Sequence, residues 1–270
     1  MLIPVRRGGT QPPLIMIHGL YGVMPLGSLL ADVLAPDQPV AVMDADGFDG
    51  YTQPLETIDQ MVGAYVGQIR RVWPRGPYLV GAICSGGLLA LEVARALIAT
   101  GEAVGRVLLV DPPAIPFSYD DQLSNIDPKL QPAMSRRLTQ QVIAEFQDYG
   151  TRYSKLPFNA RDPVAVQLAA RVGVACMLAF FKHRPLPFAA PVELIVSQQR
   201  AAGYFGPELP WQTILTGPRW MHVLPGEHGD MFRTQSDAVC RLVSFYLETA
   251  LADGDNSDGS RAPESLAQPA

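Results

Sequence analysis

The sequence predicts an α/β fold: a mostly parallel central sheet flanked by helices, with a helical insertion in the second half of the chain. Three observations support this. Short continuous apolar runs alternate with amphipathic runs at helical spacing, as for parallel strands buried on both faces and the helices that cover them. One such run, Tyr78 to Ile83, enters Cys84-Ser85-Gly86-Gly87, and an unbroken helical run, Leu88 to Ala99, leaves that turn. An acidic residue, Asp111, and a glycine-bordered histidine, His228, each follow a later apolar run, at strand carboxyl ends where open parallel sheets gather their ligand-binding groups.

Taken in order, Leu14-Ile15-Met16-Ile17 reads as a buried strand ending in the turn His18-Gly19-Leu20-Tyr21-Gly22. A helix is expected near Leu26 to Leu34 and a strand over Pro39 to Met43. From Thr57 to Val72, apolar Ile58, Met61, Val62, Tyr65, Ile69 and Val72 make one helical face, with Thr57 as its cap. The helix after Gly87 is expected to stop at Gly101, a good C-terminal cap. Val107 to Val110 is a buried strand with Asp111 at its end, one crossover from the strand that carries Cys84.

Between Phe117 and Phe188 the strand–helix rhythm stops. Lys129 to Tyr149 reads as helix, and Asp162-Pro163 as the cap and first residue of another that reaches Lys182. The latter contains Val172 to Phe181, more apolar than a one-sided surface helix requires. An insertion over about 117–188 is therefore expected to act as a lid, with Tyr21, Cys176, Met177 and Phe180 as candidates for the substrate pocket. Core packing or a dimer face would need the same apolar residues. Strands are expected at Val192 to Val196 and Trp220 to Leu224. A closing helix from Ser236 to Leu251 should bury Cys240. One domain over 1–251 is expected, with a disordered tail over 252–270 made of Asp, Ser, Gly, Pro and Ala.

Composition bounds the partners. With 270 residues, 48% hydrophobic and 17% charged, the chain can bury a sizeable core. A net charge of −5 without a basic cluster argues against nucleic acid. The cysteines Cys84, Cys176 and Cys240 form neither a paired framework nor a metal spacing, which fits a reducing, cytoplasmic setting. Met1 to Arg7 lacks a signal-peptide core, and the run Val172 to Phe181 is too short to span a bilayer.

The Tyr78 to Gly87 stretch has the form of the nucleophile elbow of the α/β-hydrolase fold, in which a reactive side chain sits on a strained strand-to-helix turn. The residues two before and two after the nucleophile must be small, because strand and helix backbones converge there. With Cys84 as nucleophile those residues are Ala82 and Gly86; with Ser85 they are Ile83 and Gly87, and a β-branched Ile should clash. The Cys84 register is therefore preferred over Ser85, and over an inert buried thiol. The Ser85 backbone N–H then becomes an oxyanion donor at a helix start, and the Leu20 N–H of the early His-Gly turn the second. His18 is expected to brace that turn. His222 lies inside a strand and His183 beside the lid, so both are expected to be structural. The remaining constellation is Cys84–His228–Asp111, in the chain order nucleophile, acid, histidine.

On Pro77 to Gly81 leading into the elbow, Leu88 to Leu97 after it, Leu108 to Asp111, and Pro225-Gly226-Glu227-His228, the sequence resembles the thioesterase family of nonribosomal peptide synthetases and polyketide synthases. The resemblance implies catalytic roles for Cys84, Asp111 and His228. It also implies a substrate presented on the phosphopantetheine of an acyl or peptidyl carrier protein, with no metal or other cofactor and no membrane partner. Cysteine stands where most members have serine. A thioester passed to cysteine keeps its activation, which favours transfer or cyclisation over hydrolysis. Free-standing cysteine members include Dieckmann cyclases that release tetramic acids and aminoacyl shuttles between carriers. The absence of a carrier, condensation or adenylation segment suits action in trans, or an excised domain. Cyclising release by Dieckmann condensation is the leading expectation. An editing hydrolase, a shuttle and a non-catalytic binding protein are the alternatives.

Overall fold

The computed structural model describes residues 1–24, 30, 32–113, 131–152, 156–201, 203, 210–232 and 234–249. Its strands are β1 (Leu2–Arg6), β2 (Leu14–Ile17), β3 (Val40–Met43), β4 (Leu79–Ile83), β5 (Val107–Val110), β6 (Val192–Ser197) and β7 (Arg219–Leu224). The helices among these residues are α1 (Ile58–Val72), α2 (Gly86–Ala99), α3 (Gln131–Arg152), α4 (Pro163–Lys182), α5 (Gln198–Ala201), α6 (Pro210–Ile214) and α7 (Ser236–Thr249). The strands form one sheet in the order β1-β3-β2-β4-β5-β6-β7, with β1 antiparallel to β3 and the other pairings parallel.

Strand alternation sorts the apolar side chains into two cores. Ile15, Ile17, Val80, Ala82 and Leu109 face α1 and α2. Leu14, Met16, Leu79, Ile83, Leu108 and Val110 face the other way, onto α7 with its buried Cys240. The expected caps are present: the Gln60 N–H donates to Thr57 Oγ1 (3.2 Å), the Val164 N–H donates to Asp162 Oδ1 (2.9 Å), and Gly101 takes φ +84°. At the amino ends of the strands, buried Arg106 and Glu193 pair at 2.5 Å, and His222 bonds the other oxygen of Glu193. His183 lies 3.4 Å from Glu92. Both histidines are thus structural.

Three expectations are corrected or bounded. β1 was not foreseen: it carries Pro4 and is only half-buried, so it lacks the continuous apolar signal, and its edge position tolerates a proline. The apolar run in α4 belongs to a 20-residue helix that is long and apolar enough to cross a membrane, yet 56% of its apolar window is buried inside this fold. The helix expected over Leu26–Leu34 lies partly outside the described residues, as does the lid over 114–130 and 153–155; the tail over 252–270 lies wholly outside. The described part of the insertion is the pair α3 and α4, joined through a third cluster of Val142, Phe146, Ala170 and Met177 with Val23 from the loop after β2.

Candidate active site

Strand β4 delivers Cys84. Its N–H donates to Val110 O of β5 (2.9 Å), and its φ of +50° is the left-handed conformation that a side chain rarely adopts. Ser85, at φ −59°, is already helical. The strain of the turn therefore falls on Cys84. A Cβ at Gly86 would lie 1.9 Å from the His18 carbonyl oxygen and 3.4 Å from the Ala82 methyl. Only glycine fits there, and the two small residues converge as the Cys84 register requires. Ile83 instead points into the opposite core, and a Cβ at Gly87 would meet Pro112 Cβ at 3.3 Å and the Leu109 methyls at 3.5 and 3.8 Å, far looser than the 1.9 Å contact at Gly86.

Asp111 is fully buried at the end of β5 and also has positive φ, +45°. Its N–H donates to Ile195 O (2.7 Å). Oδ2 accepts from His228 Nδ1 (2.6 Å), and Oδ1 accepts from the Ser197 N–H (2.6 Å). Arg200 Nη1 donates to the Asp111 carbonyl oxygen (2.6 Å) and lies 3.4 Å from Oδ2. His228 sits in the loop after β7. There Gly226 takes φ +97°, and Asp230 Oδ2 accepts from the Glu227 N–H (2.8 Å). Gln199 ties this loop to α5: its N–H donates to Gly226 O (3.2 Å), and its Oε1 accepts from the His228 N–H (3.4 Å).

The charges follow from these contacts. Burial raises the Asp111 carboxyl, but the bonds from His228 and Ser197 and the charge of Arg200 hold it below the usual carboxylate range. Burial lowers the His228 imidazole, but the bonds to Asp111 and Cys84 raise it to about 9. Burial raises the Cys84 thiol; the hydrogen bond and charge of His228, the charge of Arg200 and the Ser85 N–H together bring it down to about 7. A thiolate–imidazolium pair is thus favoured from neutral pH upward until the imidazole titrates, and such a thiolate is a nucleophile.

The Ser85 N–H points at Sγ from the start of α2. The early turn lies against it: a Cβ at Gly19 would be 3.5 Å from Cys84 Cβ, which puts Leu20 next along this wall. His18 braces the turn, as the sequence suggested. Nδ1–H donates to Gly19 O (2.8 Å) and Nε2 accepts from the Tyr65 hydroxyl (2.7 Å), while burial drives its pKa down to about 4. Tyr21 accepts from Gln141 Nε2 (3.3 Å), packs edge-on against Phe146, and feels the charge of Cys84.

The other expected pocket residues sit deeper. Cys176 lies beneath the early turn, 3.1 Å from where a Cβ of Gly22 would be, and burial pushes its thiol up to about 12. Phe180 packs edge-on against His18 in the same core, and Met177 joins the α3–α4 cluster. All three are buried by packing; of the four, Tyr21 is the one whose phenol the Cys84 charge reaches. Among the described residues, no group of three His, Cys, Asp or Glu side chains converges as a metal ion would require. Sequence reasoning missed Ser197, Gln199 and Arg200, although their place at the carboxyl end of a central parallel strand is itself a signal.

The described geometry has recognisable relatives. Over 114 residues the chain is 37% identical to malpinin synthetase of Mortierella alpina, a match covering 42% of this chain and 2% of that much longer protein. A four-domain nonribosomal peptide synthetase superposes with a TM-score of 0.69 at 22% identity, over 90% of this chain and 20% of that one. The type II thioesterase BorB from the borrelidin biosynthetic cluster superposes at 0.65 and 18% identity, over 91% of this chain and 97% of that one. At these identities the two structures establish a shared fold. The thioesterase domain profile matches residues 12–245. That match runs from just before β2 into α7 and takes in the elbow, Asp111 and His228, so the chain belongs to the thioesterase domain family.

Proposed function

We propose that this thioesterase-family chain releases an acyl or peptidyl chain from the phosphopantetheine of a carrier protein through an acyl-enzyme on Cys84. We further propose that release occurs by intramolecular Dieckmann cyclisation to a tetramic acid-type ring. The observation that carries the reading is the thiol itself: Cys84 occupies the strained position of the elbow, with its pKa brought down to about 7 chiefly by His228 and Arg200. Likeness to a nonribosomal peptide synthetase supports a carrier-bound substrate.

The thiolate attacks the thioester carbonyl, and the oxyanion is met by the N–H groups of Ser85 and Leu20. The carrier thiolate leaves and takes the proton of the His228 imidazolium, which Asp111 has kept oriented. The product is a second thioester, so activation is retained. Neutral His228 then removes a proton from the acidic carbon between two carbonyls of the chain. That carbanion attacks the Cys84 thioester, the carbon–carbon bond forms, and the expelled thiolate again pairs with the imidazolium. The apolar α3–α4 cluster beside Tyr21 keeps competing water scarce.

The test uses a β-ketoacyl-aminoacyl thioester on a pantetheine handle, with wild type beside Cys84→Ala, and intact-protein and product mass spectrometry. A product one water lighter than the acid, absent in Cys84→Ala, is expected. Free acid as the sole product would instead identify an editing hydrolase. An adduct on Cys84 that discharges only onto added carrier would identify a shuttle.

A further inference from the structure

Asp111 is gripped from one short segment. Ser197, the last residue of β6, holds Oδ1 through its N–H; Arg200, three residues on, holds the backbone carbonyl and lies against Oδ2; Gln199 between them holds the His228 loop. We infer that Arg200 is a positioning residue for the triad, fixing the Asp111 carboxylate and carbonyl together and placing a permanent positive charge behind the Asp111–His228–Cys84 line. This rests on the acyl-enzyme reading above and assigns the residue that tunes it.

The geometry has a specific electrical consequence. Cys84 is acted on by the His228 imidazole, the Arg200 charge and the Ser85 N–H, and its own charge reaches the Tyr21 phenol. His228 faces Asp111, Cys84 and Arg200. Arg200 acts on all three members of the line with the same sign: a nearby cation favours the thiolate and the carboxylate and disfavours the imidazolium. Asp111 acts differently. It favours the imidazolium and, through it, the thiolate. Loss of Asp111 therefore drives the thiol titration up and the imidazole titration down, whereas loss of the Arg200 charge moves both up together. A purely structural brace would produce neither pattern. One nitrogen, Nη1, reaches both the carbonyl oxygen and the carboxylate, so a single cationic donor serves both ends of Asp111.

The experiment compares the full chain as wild type, Arg200→Gln, which keeps a donor for the Asp111 carbonyl without the charge, and Arg200→Lys, which keeps the charge. The thiol midpoint is read from the pH dependence of Cys84 modification by a small aromatic disulfide, and the imidazole midpoint from NMR titration of the His228 ring nitrogens. In Arg200→Gln both midpoints should rise by about half a pH unit, roughly halving the thiolate at pH 7, while Arg200→Lys stays near wild type. Arg200→Met is a second charge deletion and should give the same joint shift if the glutamine variant folds poorly. Midpoints that stay in place, or move in opposite directions, in a charge-deleted protein that melts like wild type would overturn the role of Arg200 alone. An ordinary thiol titration of Cys84 in the wild type would overturn the acyl-enzyme reading and this one with it.

Discussion

Replacing Asp111 with Asn removes the negative charge at the far end of the Asp111–His228–Cys84 line while keeping its shape and an acceptor for the Ser197 N–H. In the wild type the thiol near 7 and the imidazole near 9 leave Cys84 about half ionised at pH 7. Without the carboxylate, burial pulls His228 down, and the thiol loses the cation that offset its own burial. It should return at least to the ordinary value of about 8.5. The thiolate fraction at pH 7 then falls to about 3%, roughly fifteenfold. The more basic thiolate is also the better nucleophile: a Brønsted slope of 0.4–0.5 over about 1.5 units gives back about fivefold. Reaction with an aromatic disulfide should therefore be only about threefold slower at pH 7 and about fivefold faster at pH 10, so the two pH–rate profiles cross. Stopped-flow measurement between about pH 5.5 and about 10 reads this directly. Buried Cys176 and Cys240, whose thiols are pushed up to about 12 and about 11, stay silent. Superimposed profiles, or a variant slower by a constant factor at every pH, would refute the electrostatic role of Asp111.

Other consequences are about stability. Gly63 and Gly67 lie on the exposed side of α1, where a Cβ would meet nothing within 4 Å; alanine at each should add about 0.5–1 kcal/mol in urea melts. Gly86→Ala, by contrast, drives a methyl into the His18 carbonyl and should cost more than about 3 kcal/mol. Asp44 is buried, with its carboxyl raised to about 6, and Oδ1 accepts from the Met24 N–H. A raised folded-state value stabilises below the unfolded pKa and is lost as pH rises through 6. Asp44→Asn keeps the acceptor, so it should be more stable than wild type by about 1–3 kcal/mol above pH 7 and no different near pH 4. Glu193→Ala removes the carboxylate from buried Arg106, which keeps the Thr249 carbonyl and the Trp220 ring, and from His222; it should cost about 3–5 kcal/mol, yet leave the Cys84 profile unchanged because it acts at the other end of β6 from Ser197.

The parts of this molecule legible in the sequence are those where one local rule acts alone. Buried parallel strands such as Leu14–Ile17 and Val107–Val110 read as apolar runs because both their faces are covered. The elbow register was readable because the steric demand falls on two fixed neighbours, and the His18 carbonyl proves to be the group that enforces glycine at 86. β1 was not legible, because an edge strand with Pro4 carries no period. Arg200 was missed for a different reason. Its partner Asp111 is 89 residues away in sequence, and only the β5–β6 pairing brings them together. Cys176 and Phe180 were expected at the pocket from the surplus of apolar residues on their helix. That surplus is used to pack α4 beneath the early turn, a demand that periodicity cannot distinguish from ligand binding.

Cysteine in place of serine is the feature that most needs a chemical reason, and Cys84→Ser exposes it. The hydroxyl fits the same strained position, but no shift available here would ionise it near neutral pH, so His228 must act as base during attack and acylation slows. The intermediate then changes kind. Under the proposed cyclising release, the oxyester lies below the incoming thioester in energy and its carbonyl is less receptive to a carbanion, so ring closure should slow more than acylation. Water, activated by neutral His228, gains relative to the disfavoured carbanion. The serine variant should accumulate acyl-enzyme in intact-protein mass spectra. It should also shift the ratio of free acid to ring by about tenfold or more, a barrier difference of ~1.4 kcal/mol. An unchanged ratio would mean that the wall of Tyr21 and the α3–α4 cluster alone decides between ring and acid, and that the thiol serves only to make the first step fast.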